Sequence, residues 1–241
     1  MRSLIFLVIT LISGAIAGTV LALINLGVVE PYIDKAIAIE TQNKISSGEN
    51  VNLSELIDYR MWQKGGAVAA GAIYGLALSA LFGIVFAYSQ NYLPGSNYKK
   101  KAILLAGILW FVLYFMVAIK YPANPPAVGD PETIYYREGL YVAYICISGF
   151  SALVLAIAWK KLKTTKKNII IPLLYALIMT AAYIALPPNR DKISISMDLI
   201  QTFRVLTAVT IGIFWGILGI LFGLMWDKYL RSEPQWRAQI R

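Results

Sequence analysis

The sequence predicts an all-α integral membrane protein, a single transmembrane domain over residues 1–241 built as a six-helix bundle. Three observations carry this expectation. Of the residues, 58% are hydrophobic and 15% charged, whereas soluble domains average roughly 45–50% and about 25%. Six apolar runs contain no Asp, Glu, Lys or Arg, and each approaches the ~20 residues that a spanning helix needs. The basic residues, finally, are divided unevenly among the connections between those runs.

The runs are 4–28, 65–88, 102–119, 140–159, 169–186 and 205–226. Backbone groups in hydrocarbon must pair within their own segment, so uninterrupted runs of this length read as helices. The first follows Arg2, and "AIAG" (15–18) looks like a signal-peptidase site. Its apolar stretch continues to Val29, well past the usual signal core of about 7–15 residues, so it is read as a span. The third and fifth runs are near the short limit; Pro172 falls in the first turn of the fifth, where proline is tolerated.

The connections set the orientation. The N-terminus, 89–101, 160–168 and 227–241 together hold 13 basic residues and two acids. The alternating connections 29–64, 120–139 and 187–204 hold 9 basic residues and 11 acids. The whole positive excess thus lies on one face, which the positive-inside rule assigns to the cytoplasm. The expectation is a multi-pass protein of the cell membrane with both termini cytoplasmic. A formal charge of +9 is then a topology signal, and no nucleic-acid partner is expected; the lipid bilayer is the first partner.

Several chemistries are excluded. The chain has no histidine and one cysteine, Cys146, so it has no Ser-His-Asp triad, no disulfide framework and no CxxC zinc site. It lacks a Walker lysine loop. With no intramembrane charge to mark a relay, it is read as a non-enzyme.

Each outer loop ends in an aromatic residue and an arginine: "ELIDYR" (55–60), "ETIYYR" (132–137) and "LIQTFR" (199–204). Arg60, Arg137 and Arg204 are either ordinary interfacial anchors or the trace of a triplicated helical hairpin. "GGAVAAGAIYG" (65–75) and "GIFWGILGILFG" (212–223) offer small-xxx-small spacing, which serves helix packing within the chain or against a second subunit.

The acidic face supplies the candidate site. In "VVEPYIDKAIAIE" (28–40) a helical turn would put Glu30 and Asp34 on one side, with Glu40 further along. Glu132 would join them from "YPANPPAVGDPE" (121–132), whose four prolines suggest an ordered, stiff cap over the outer helix ends. Clustered carboxylates beside a low-dielectric surface concentrate divalent cations. The plainer reading is that they are solvated, or that Glu30 pairs with Arg60 or Arg137.

Together these two stretches resemble the CbtA-type family of predicted cobalt transporter subunits. The second, Tyr-Pro-x-x-Pro-Pro-x-x-Gly followed by Glu-Thr and Arg, is the more specific. The resemblance implies motif roles for Glu30, Pro31 and Glu40, then Tyr121, Pro122, Pro125, Pro126, Gly129, Glu132, Thr133 and Arg137. It also implies about five helices, one fewer than the runs counted here. Its further implications are a small membrane partner subunit bearing histidines and cobalt as the transported ion, with no permanently bound cofactor. Oxygen ligands and one thiol are a poor set for selecting cobalt, so selectivity would rest with the partner. A non-transporting structural subunit of a larger membrane complex is the other reading.

Overall fold

The computed structural model describes residues 2–188 and 193–232. Its regular elements among these residues are all helices, without a β-strand. In chain order the elements are α1 (Arg2–Val28), α2 (Glu30–Ser46), α3 (Leu53–Ser89), α4 (Tyr98–Trp110), a π-helical turn (Phe111–Phe115) and α5 (Met116–Ala118). After a short 3₁₀ turn (Pro131–Thr133) come α6 (Ile134–Lys161), α7 (Lys167–Ala185) and α8 (Met197–Ser232). Six segments are long and apolar enough to cross a membrane: α1, α3, Tyr98–Ala118, Pro131–Lys161, α7 and α8. Of the charges weighed for orientation, Arg190, Asp191, Lys192, Glu233, Arg237 and Arg241 lie outside the described residues.

The helices outrun the apolar runs. α3 begins at Leu53, twelve residues before the run at 65, and α8 begins at Met197 and ends at Ser232. An apolar run measures the thickness of the hydrocarbon, whereas a helix ends where its caps are. Asn52 supplies one such cap, its side chain accepting from the Glu55 amide at 3.3 Å. All three aromatic–arginine pairs, expected at loop ends, therefore lie inside helices.

The chain divides into two compact units, Met1–Trp110 with Val205–Arg241, and Phe111–Arg204. In the first, α1 and α3 pack along most of their length. The contact is made of glycine. A Cβ built on Gly18 would strike the Gly71 carbonyl, one on Gly75 the Gly14 carbonyl, and one on Gly71 would lie 2.7 Å from the Gly18 carbonyl. Only residues without side chains let backbones approach so closely. Further along, Gly83 faces Thr10 at 2.7 Å from its would-be Cβ. α8 meets α4 the same way, through Gly219 against Ala106 and Gly223 against the Lys99 backbone. Phe82, Phe86 and Phe222 fill the adjoining space, the Phe86 and Phe222 rings edge to face at 4.9 Å. Asp227 accepts from the amides of Tyr98 and Lys99, both at 3.0 Å, and so caps α4 from α8.

The second unit is held differently. α6 and α7 are antiparallel and stitched by hydroxyl groups one turn apart. The Tyr144 hydroxyl donates to the Met179 carbonyl at 3.3 Å. Ser148 bonds Tyr175 at 2.7 Å and also donates to the Val112 carbonyl inside the π-turn. Val117, Tyr121, Tyr144 and Met179 form its buried apolar core.

Candidate functional site

In the first unit the predicted carboxylates do lie on a helix. α2 starts at Glu30 with Pro31 in its first turn, where the missing N–H costs nothing. The i,i+4 spacing places Glu30 and Asp34 on one side of α2, and the same spacing places Arg60 and Lys64 on one side of α3. The two pairs meet. Arg60 makes ion pairs with Glu30 and, at 2.9 Å, with Asp34; Lys64 reaches the other Asp34 oxygen at 2.7 Å. Arg60 also donates to Gln63 Oε1 at 2.7 Å. The Arg60 and Glu30 side chains are only 15% and 17% exposed, against 46% for Asp34, so the Glu30 end of the cluster is the better shielded from solvent and salt.

Desolvation pushes the Asp34 carboxyl upward, but hydrogen bonds and charge from Lys64 and Arg60 outweigh it and hold it below its ordinary range. With two carboxylates facing two cations, the cluster is balanced. The Asn25 Oδ1 atom, five residues before Glu30, is buried without a hydrogen-bond partner.

Glu40 is engaged separately: it pairs with Lys44 at 2.8 Å along α2 and raises the Lys44 ammonium above its usual value. Glu132 belongs to the other unit, where its side chain is exposed and its amide donates to Asp130 Oδ1 at 2.9 Å. Among the described residues no three His, Cys, Asp or Glu side chains come together as a metal-holding group.

In the second unit the proline-rich stretch is tied down at many points. Tyr121 is buried and its hydroxyl donates to the Pro187 carbonyl at 2.6 Å; burial raises the Tyr121 hydroxyl above its ordinary pKa. Arg204 grips Asn124 Oδ1 at 2.7 Å, and Arg137 donates to the Val128 and Asp130 carbonyls at 3.3 and 3.1 Å. Val128 bridges to Ile193, and the Ser194 hydroxyl donates to the Ala127 carbonyl. Asp130 caps the turn before α6, where the Thr133 hydroxyl donates to its carbonyl at 2.8 Å.

Gly129 sits at φ +93° and Ala127 at φ +68°. The first conformation explains a glycine in the motif; the second is held against its cost by the surrounding bonds. Tyr121 and Pro122, with Tyr114, Ala118, Ala123 and Tyr141, line a cavity of about 130 Å³. Pro125 is buried and Pro126 half-buried.

Reading the sequence one loop at a time missed Lys64, Asn124, Ser148 and Tyr175. Lys64 had a visible signal, its i,i+4 relation to Arg60. The others act across long sequence separations and leave no local mark.

No curated protein and no solved structure matches the chain. The family model for the probable cobalt transporter subunit CbtA, in contrast, matches residues 4–227, which take in all six apolar runs of the sequence, the carboxylate cluster and the proline-rich stretch; the chain belongs to the CbtA family.

Proposed function

We propose that the chain is the membrane-embedded component of a divalent-cation transport system, with cobalt as its ion and a second small membrane subunit as its partner. Family membership across 4–227 carries this reading. Charge segregation supports a cell-membrane protein with both termini cytoplasmic and the acidic connections outside. On that topology the chain forms three helical hairpins, with the proline-rich stretch as an outer cap.

Glu30 and Asp34 are the carboxylates best placed to meet an incoming dication on the first unit. They are already neutralised by Arg60 and Lys64. A dication therefore binds in exchange for the guanidinium, and Arg60 stands in for it until it arrives. Carboxylates discriminate weakly among such ions, so the partner supplies the selective ligands. Glu40 and Glu132 serve on this reading as peripheral charges that attract the ion.

Cobalt accumulation in cells expressing the chain with its partner tests the proposal. Glu30→Gln is expected to reduce uptake at least several-fold at normal expression. Unchanged accumulation would remove Glu30 from the path.

One observation favours a second reading. With each carboxylate of the α2–α3 cluster held by a cation, the cluster is well suited to fixing α2 against α3 and nothing more. In that case the chain is a structural subunit, and it co-purifies at fixed stoichiometry with a larger complex whose transport survives Glu30→Gln.

A further inference from the structure

The π-turn Phe111–Phe115 interrupts an otherwise regular spanning helix. Such turns are rare, and they appear frequently at functional sites. Here the Val112 carbonyl, inside the turn, accepts from Ser148 of α6, and Ser148 is in turn bonded to Tyr175 of α7. Ser148 is fully buried on α6 and followed by Gly149, whose missing Cβ would lie 3.5 Å from Leu113. That distance is an ordinary van der Waals contact, so it is the small, buried Ser148 that brings α6 against the turn.

The direction of the hydrogen bonds can be assigned. A serine hydroxyl has one proton, and the Val112 carbonyl can only accept. Ser148 therefore donates to Val112, and Tyr175 must donate to Ser148. The lone pairs of Tyr175 are left open at the half-buried end of this chain. Three neutral oxygens from three helical segments are thus linked in a row through Ser148, with no carboxylate, imidazole or thiolate among them.

We propose that the Val112 carbonyl and the Ser148 and Tyr175 hydroxyls form a binding site for a monovalent alkali cation, of the sodium class. Binding requires that the two hydroxyls turn their protons outward and that the oxygens, now in direct hydrogen-bond contact, part to admit the ion. Interrupted membrane helices use backbone carbonyls in this way for coupling ions. The ligand set speaks against a divalent ion. The cost of burying an ion rises steeply with its charge, and no anionic residue is present here to offset it. Hard dications take carboxylates and many oxygens, while transition metals favour nitrogen and sulfur. Water fills the remaining positions around the ion. Resting on the transport reading, this site is where a sodium gradient would drive uptake.

The test begins with binding, independent of transport. Purified wild-type protein, with its partner where the two co-purify, is melted in sodium chloride and in choline chloride at equal ionic strength. At saturating sodium the melting temperature should rise by about 2–4 °C. Ser148→Ala and Tyr175→Phe should abolish the rise. Tyr144→Phe, which removes the neighbouring stitch but none of the three oxygens, should retain it. A folded wild-type protein indifferent to sodium overturns the site, as does a sodium shift that survives Tyr175→Phe. Cobalt uptake is then measured separately. Its absence with the sodium shift intact would count against the transport reading and leave the cation site standing.

Discussion

In the unit containing α1 and α3, helices touch backbone to backbone; in the unit containing α6 and α7, they touch through hydroxyl groups. Lipid provides no hydrophobic force between helices, so each unit needs another source of cohesion. Gly14, Gly18, Gly71 and Gly75 give the first unit close van der Waals contact that tolerates no added atom. Tyr144, Ser148 and Tyr175 give the second directional bonds that fix register through side chains. The ends follow the same division: α2 is clasped to α3 by charge, whereas the proline-rich stretch is held by neutral acceptors. The lesson is that the first unit is rigid by shape and the second by hydrogen-bond geometry, which can be exchanged for an ion.

The sharpest way to break this comparison is to fill the glycine seam. Gly75→Leu places a side chain where the Gly14 carbonyl now lies. It should cost at the upper end of the about 1–3 kcal/mol typical of overpacking, or more, read as lost folded protein and a lower melting temperature in detergent. Gly216 has nothing within reach of a Cβ, so Gly216→Ala should instead stabilise by about 0.5–1 kcal/mol.

Next in size is Arg60→Met. It strands the shielded Glu30 carboxylate and should cost about 1–3 kcal/mol, with α2 becoming sensitive to protease. Tyr144→Phe in the second unit removes one neutral bond and should cost about 1 kcal/mol; if it cost more than Arg60→Met, the contrast between the units would fail.

Smallest is the pH response of the clasp. The Asp34 carboxyl is depressed in the folded protein, so its contribution is complete above its unfolded pKa of about 4 and disappears as pH falls through the lower folded value. Protease sensitivity of α2 should stay flat from neutral pH to about 4 and rise only below that.

The six spans were legible because lipid imposes a length and a composition that any reader can count. The site was legible in part. Glu30 and Asp34 lie on one face because helical spacing says so, and Gly129 has a left-handed φ that a motif glycine suggests. The pairing of Glu30 was legible only as a choice between Arg60 and Arg137; what decided for Arg60, thirty residues away on a different helix, was the placement of α2 beside α3. The glycines announced packing without naming a partner, and the seam chose α1 with α3. The π-turn left no trace in "FVLYF", since its carbonyl bond depends on Ser148 arriving from α6.

The cap that Asp227 places on α4 has a consequence for biosynthesis. Its carboxylate joins the chain 129 residues after Tyr98, roughly 6–26 s later at ribosomal speeds of about 5–20 residues per second. Until then the first turn of α4 has no acceptor from α8, and the α8 glycines that seat it, Gly219 and Gly223, are made only just before Asp227. The second unit, contiguous from Phe111 to Arg204, is synthesised entirely within that interval. The order of assembly is therefore written into the connectivity: the middle of the protein can finish folding while its two flanks still wait for each other.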